Sequence, residues 1–268
     1  MKMRTAWRIV LLVLLSGLSL QLFFLGRITL MRWIDPQSTA FQRSEMSRLL
    51  REQGRIAWAQ SWRPSNQISD NLKRAVIASE DANFVDHGGV EWGALHKAWE
   101  KNSRAQARVQ KQREEALARH ERAVARAQKR GRPVPPAPTE AMLKTAKIVG
   151  GSTITQQLAK NLFLSGERNF LRKGQEFVLT FMLEGLLDKE RILSIYLNNV
   201  EWGEGLFGAQ AAARNYFHQD ASRLSAIQAA RLAVMLPAPK RFEKLPRSGY
   251  VLNRAGTIAA RMGAVELP

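Results

Sequence analysis

Three groups of reactive side chains follow one another along the 268-residue chain. The first is Glu80-Asp81-Ala82-Asn83-Phe84-Val85-Asp86-His87-Gly88-Gly89, directly after the apolar run Ala75 to Ala78. The second, Gly150-Gly151-Ser152-Thr153-Ile154-Thr155-Gln156-Gln157-Leu158-Ala159-Lys160-Asn161, supplies hydroxyls, carboxamides and a lysine. The third is Arg168, then Arg172-Lys173-Gly174-Gln175-Glu176. One acid thus lies near a histidine and another lies among cations. That is the equipment for moving a sugar off a phosphate ester. A general base must be ionised when the acceptor arrives, with a pKa near ambient pH. A leaving phosphate is already acidic and needs its charge stabilised more than it needs a proton.

The elements that must carry these groups read as helices. Ser69-Asp70-Asn71 offers N-cap chemistry for a helix through Leu72, Ala75, Val76 and Ser79, with Glu80 at its end beside a cleft. Partial burial beside Phe84 would raise the Glu80 pKa. Ser152 can cap a second helix reaching about Leu164. Spacing of four puts Gln156 over Lys160 and Gln157 over Asn161, with Ile154, Leu158 and Leu162 on the opposite, buried side. That polar face is either ordinary surface or a substrate face. Hydroxyls beside free backbone N–H groups at its start make a ready anion site. On a third helix, Phe170 to Leu187, Arg172, Lys173 and Glu176 share a face and hold Glu176 ionised. They form either a surface ion-pair cluster, worth under about 1 kcal/mol, or a cationic platform for a pyrophosphate. Guanidinium forks suit phosphate oxygens, and lysine supplies a point charge. Further helices are expected over Lys189 to Asn198, Ala209 to Phe217, Leu224 to Leu236 and Tyr250 to Met262. No stretch alternates as a strand, so the fold class is mainly α.

Ile9 to Leu25 is an almost unbroken apolar run, preceded by Lys2, Arg4 and Arg8 and flanked by Trp7 and Trp33. Its length is near the lower limit for a membrane-spanning helix. Small residues at Ser16-Gly17-Leu18-Ser19 allow a cleaved signal peptide as the competing reading, but the run continues past them without an A-x-A site. The expected order is a cytoplasmic tail over 1–8, a transmembrane helix over 9–26 and a catalytic domain over 35–268 outside. The absence of cysteine excludes a disulfide framework and thiolate zinc sites. The net charge of +18 suits anionic lipid, nucleic acid or a pyrophosphate substrate. From Trp99 to Arg132, eleven bases are interleaved with four acids among alanines and glutamines, and Gly131-Arg132-Pro133-Val134-Pro135-Pro136 closes the segment. This insertion, about 99–147, reads as a solvated helix with a stiff linker. Its charged face is either simply solvated or touches anionic lipid headgroups. Nucleic acid is disfavoured because no Phe, Tyr or Trp follows Trp99 in the segment to stack bases.

The first two groups closely resemble the first two signature motifs of the peptidoglycan glycosyltransferases, the family that polymerises lipid II. The third group follows in the same order. Lys189-Glu190-Arg191-Ile192-Leu193-Ser194-Ile195-Tyr196-Leu197-Asn198 resembles the fourth motif, and the stretch from Gly205 to Phe217 the fifth. The resemblance implies a lysozyme-like, mainly helical domain with a small membrane-proximal lobe. It implies that Glu80 is the general base, with Asp81, Phe84 and His87 shaping its surroundings. Ser152, Thr153, Gln156, Gln157 and Lys160 then fall on the substrate face, and Arg168, Arg172, Lys173 and Glu176 where the donor pyrophosphate is handled. The implied partners are lipid II, the growing lipid-linked glycan, membrane lipid and cell-wall synthesis or division proteins, with no nucleic acid. The implied location is the inner membrane with a periplasmic catalytic domain. No cofactor is required and no metal-ligand cluster is legible, so Mg or Mn would ride on the substrate pyrophosphate. The insertion and Glu91, where the family usually has Asp, depart from the pattern. No Ser-x-x-Lys occurs, and Ser69-Asp70-Asn71 has no partner motif, so no transpeptidase activity is expected. The rival readings are a lysozyme-like peptidoglycan-cleaving enzyme, which needs no pyrophosphate site, and a non-catalytic membrane-anchored scaffold.

Overall fold

The apolar run near the N-terminus forms one helix, α1 (Lys2–Leu30). Side chains such as Leu12, Val13, Leu14 and Leu18 stand exposed along it, as a bilayer-facing surface requires. The computed structural model describes residues 2–139, 145, 150–164 and 170–268. The helix runs past the expected end at 26, because its last turns belong to the protein core. Phe24, Ile28 and Met31 are buried there. The Phe24 ring meets Phe163 edge-on at 5.2 Å, and the Arg27 guanidinium lies 5.5 Å from the centre of the Phe163 ring. Gln21, polar within an apolar run, exchanges hydrogen bonds of 2.8 and 3.1 Å with Gln175.

The chain divides into two compact units, residues 1–90 with 153–268, and residues 91–152. The larger is built from α2 (Ala40–Gln53), β1 (Ala59–Gln60), α3 (Asp70–Glu80), and, after the smaller unit's α4 (Trp92–Lys129), α5 (Ile154–Phe163), α6 (Phe170–Leu186) and α7 (Lys189–Asn199). There follow β2 (Glu201–Gly203), β3 (Leu206–Phe207), α8 (Ala209–Phe217), α9 (Ala226–Met235), α10 (Pro239–Phe242) and α11 (Gly249–Arg261). Alanine-rich α9 packs against α3 and α11, its small side chains Ala229, Ala230 and Ala233 allowing close approach. Helix α5 packs on α6 and α7. Core residues from all of these helices join one cluster around Tyr196 and Trp202, whose indole donates to Leu232 O at 3.1 Å.

The mainly helical expectation holds, with one addition. A three-stranded sheet in the order β1-β3-β2 forms from seven residues, with β1 parallel and β2 antiparallel to β3. Strands of two or three residues carry no alternation to detect. Gly205 (φ +70°) and Gly208 (φ +82°) make the turns, and a Cβ on Gly205 would sit 2.0 Å from Ala57 O. These glycines permit the sheet.

In the smaller unit, α4 begins at Trp92, seven residues before the expected insertion, and only Ala98 on it is buried. Its sequence of strong helix formers is supported by spaced pairs such as Gln110–Glu114 at 2.9 Å and Glu115–Arg119 at 3.9 Å. Gly151 returns against Ala98, where an added Cβ would lie 2.9 Å from the alanine methyl.

At β2, Lys240, Glu45 and Glu243 gather around Glu201. Lys240 pairs with Glu45 and lies 3.7 Å from Glu201 Oε1, which has no hydrogen-bond partner. Burial pushes the Glu201 carboxyl up to about 7, with the charges of Glu45 and Glu243 adding to it and Lys240 opposing. The folded state therefore keeps a proton that the unfolded chain releases from about pH 4.5 upward. This contribution to stability is complete below pH 4.5 and is lost as pH rises through 7, by about 3 kcal/mol in all. Glu201→Gln, neutral throughout, should flatten the fall in melting temperature between pH 5 and 8.5, measured in detergent micelles. Parallel curves for variant and parent would contradict it.

Candidate active site

Ser69 caps α3 by accepting from Leu72 N at 3.2 Å, as expected, and the helix ends at Glu80. Its inner face, Leu72, Ala75, Val76 and Ile77, is buried, which brings Glu80, itself partly buried, to the edge of the core. At Asp81 the backbone leaves the helix, and the following turns fold Phe84 fully inside. The Lys189 ammonium sits 4.5 Å above the centre of the Phe84 ring, donates to His87 O at 2.6 Å and pairs with Glu184 at 2.9 Å.

Asp81 is the centre of this region. Its Oδ1 lies 2.8 Å from His87 Nε2, and its Oδ2 accepts from Ile154 N, the first residue of α5, at 3.0 Å. Gly89 N donates to His87 Nδ1 at 3.1 Å, so Nδ1 is an acceptor and Nε2–H is the donor to Asp81. Gly89 adopts φ +88°, and a Cβ there would strike Thr180 at 2.7 Å. Its carbonyl accepts from Thr153 Oγ1 at 2.6 Å.

The start of α5 differs from the expected arrangement. The N-cap is Thr153, not Ser152, and Thr153 and Gln156 form a reciprocal capping box. Gln156 is therefore buried and does not share an open face with Lys160, while Ser152 is exposed. The expected anion site at this helix end is already filled: the anion is Asp81. Asp81, Phe84, Thr153 and Gln156 are all buried, so they act through the groups they hold. Ile154, Leu158 and Leu162 face inward as expected.

Gln157 lies one turn along the same helix. Its Nε2 donates to Glu80 Oε2 at 2.9 Å, and its Oε1 accepts from Tyr196 OH at 2.9 Å. Burial, then the charges of Glu80 and Asp81, push the Tyr196 hydroxyl well above its ordinary value, so it stays protonated and donates. That donation fixes the Gln157 amide with its N–H side toward the carboxylate. Glu80 itself is raised, first by burial and then by the Asp81 charge, against the Gln157 hydrogen bond and the Lys160 charge. Lys160 is exposed beside it. The result is a partly open carboxylate whose proton affinity is tuned from both sides.

The second acid has the opposite surroundings. Glu176, in the second turn of α6, is buried and pairs with Lys173, with Arg172 Nη1 3.6 Å from its other oxygen. Thr180 Oγ1 donates to the Glu176 carbonyl at 2.7 Å. Arg168 lies outside the described residues. The packing of α5 on α6 brings the Lys160 helix and the Arg172 helix side by side. From sequence, Tyr196 is expected to be structural or to touch substrate; it instead orients Gln157, and Lys189 and Glu184 have no role assigned from sequence. Tyr196 and Lys189 lie in the fourth motif and could have been paired with it, whereas Glu184 carried no signal beyond its place in a helix.

The family model described as Transglycosylase matches residues 47–111 and 135–263, leaving 112–134 unmatched. The chain is 46% identical over 257 residues to the biosynthetic peptidoglycan transglycosylase of Paraburkholderia phytofirmans, covering 96% of this chain and 90% of that protein. It is 48% identical over 253 residues to that of Burkholderia thailandensis, covering 94% and 84%. It is 44% identical over 265 residues to that of Bordetella pertussis, covering 99% and 95%.

Asp81→Asn should lower stability by about 2 kcal/mol, through the lost charge at the helix end and one lost hydrogen bond. His87 Nε2–H and Ile154 N–H meet different oxygens of Asp81, and in the amide one of those oxygens becomes an NH2 that faces a donor. The shift in the urea midpoint tests this; an unchanged midpoint would show that the two donors do not depend on the carboxylate.

Proposed function

The chain belongs to the transglycosylase family, and on that footing we propose how its own residues carry the reaction. It is a peptidoglycan glycosyltransferase, polymerising lipid II into β-1,4-linked glycan strands with inversion at the donor anomeric carbon and release of undecaprenyl pyrophosphate. Glu80 takes the proton from the acceptor C4 hydroxyl as that oxygen attacks the donor carbon. The bond from carbon to the pyrophosphate oxygen breaks with its electron pair, and the negative charge passes to the cations of α6. Arg172 and Lys173 receive it, with Glu176 fixing their position; Arg168 is proposed to join them. Lys160 and Gln157 line the acceptor side. A divalent cation accompanying the pyrophosphate would arrive as part of the substrate.

The observation that carries this reading is the Glu80 carboxylate, partly open at the end of α3 and raised in pKa, held by a neutral Tyr196–Gln157 relay. A raised pKa makes the carboxylate a better base. The α6 cations are instead neutralised by a buried acid that keeps them ordered, so they can take up charge without rearrangement.

We further infer that α1 anchors the enzyme in the inner membrane with the N-terminus cytoplasmic, from the basic residues preceding the apolar run, and the catalytic domain periplasmic. Both α5 and α6 touch the inner end of α1, through Phe163 and Gln175. This suits a substrate whose pyrophosphate emerges at the bilayer surface.

Glu80→Gln should lower lipid II polymerisation about 10²–10⁴-fold with an unchanged circular dichroism spectrum; near-parental strand growth would remove Glu80 from the role of base. Incubation with sacculi should release no fragments. Gln157→Leu removes a hydrogen bond that favours the ionised carboxylate, so the acid limb of the pH–rate profile should move to higher pH. Tyr196→Phe should move it less, in the same direction. An unmoved limb in both variants would mean that another group titrates.

A further inference from the structure

Helix α4 carries a long run of positive charge, and the structure shows how that charge is arranged. At about 100° per residue, Lys97, Lys101, Arg104, Arg108 and Lys111 fall within a sector about 80° wide, and all are exposed. Arg119, Arg122, Arg126 and Lys129 continue the same sector, also exposed. Spacings alternating between three and four residues match the helix period, so the stripe does not wind around the axis. It is about 48 Å long at 1.5 Å per residue. Glu115 is the one acid within it, paired loosely with Arg119 at 3.9 Å. Glu100, Glu114 and Glu121 point elsewhere, and Arg104 meets Glu100 only at 3.5 Å. Among the described residues, Lys97, Lys101, Arg108, Lys111, Arg122, Arg126 and Lys129 make no ion pair.

Aligning so many unneutralised like charges on one exposed helix face is unfavourable unless something anionic meets them. The distal half of the stripe also lies in the 112–134 stretch that the family pattern does not include, so it is additional to the chemistry. We propose that this stripe is a docking surface for the anionic headgroups of a phospholipid bilayer. A straight, single-helix array of cations complements a planar anionic surface over its whole length. The sector contains no aromatic residue to stack on bases, which disfavours a single-stranded nucleic acid. The same chain carries a helix long and apolar enough to cross a membrane, and with that helix inserted a bilayer is the anion at highest effective concentration. Docking is electrostatic and weakens as salt shortens the screening length.

The absence of cysteine allows a unique label. An environment-sensitive fluorophore on Gln112→Cys, at the edge of the stripe, would be read in full-length protein reconstituted into nanodiscs. Neutral phosphatidylcholine discs would be compared with discs containing phosphatidylglycerol. The expected result is headgroup contact in anionic discs only, lost at 0.5 M salt, with a label on Gln128→Cys across the helix unchanged. Replacing Arg119, Arg122, Arg126 and Lys129 with Gln should lower the docked-to-undocked ratio about a hundredfold or more. The Arg→Lys versions should keep it, and both sets should polymerise lipid II normally in detergent. Equal signals in neutral and anionic discs would overturn the proposal, as would a response to a short DNA duplex but not to anionic lipid.

Discussion

A single buried carboxylate organises the catalytic region. Asp81 sits where α3 ends, the His87 loop begins and α5 starts, and it has a donor from each of the last two. An ionised group taken out of water is tolerable only where its lone pairs are met. Here the N-terminus of α5 and an imidazole N–H meet them. The consequence is positional. With Ile154 N pinned to Asp81, Gln157 lies about one turn further on, opposite the Glu80 that immediately precedes Asp81. The two neighbouring acids thereby divide the labour: one holds the frame, and the other is left partly open to react.

The two functional glutamates show how surroundings separate identical side chains. Glu80 is raised by burial and a like charge, and is restrained by one amide and one lysine. Glu176 is buried against Lys173 with Arg172 close by, where it serves as a fixed counter-charge. Tyr196 completes the first arrangement without titrating, because burial and two nearby carboxylates keep its proton in place. A neutral donor of fixed orientation is what the Gln157 amide needs to present its N–H side to Glu80.

The membrane helix is part of this architecture as well as an anchor. Helix α5 begins at Ile154, held by Asp81, and ends at Phe163, against Phe24 and Arg27 of α1, while Gln175 of α6 bonds Gln21. Both helices that carry the site are therefore braced against the end of the helix that enters the bilayer. Gln21 costs the apolar run some hydropathy, and the reciprocal amide pair accounts for it.

Much of this was legible without coordinates, and for local reasons. Helix periodicity and caps located α3, α7 and α8 almost to the residue, since Ser69 and the glycine before α8 act within one turn. The acid near a histidine, the acid among cations and the apolar anchor were equally visible, because residue type and short spacing are enough to reveal them. The structure alone decided which polar residues face substrate and which face the protein. Thr153 and Gln156 look like surface groups in sequence, yet they close a capping box inside the core. Tyr196 looks like structural filler, yet it orients the amide beside Glu80. The anion site at the start of α5 is occupied by a carboxylate 73 residues earlier in the chain. Each of these outcomes depends on a contact between segments far apart in sequence, which composition and periodicity cannot encode because they describe only what lies within a few turns.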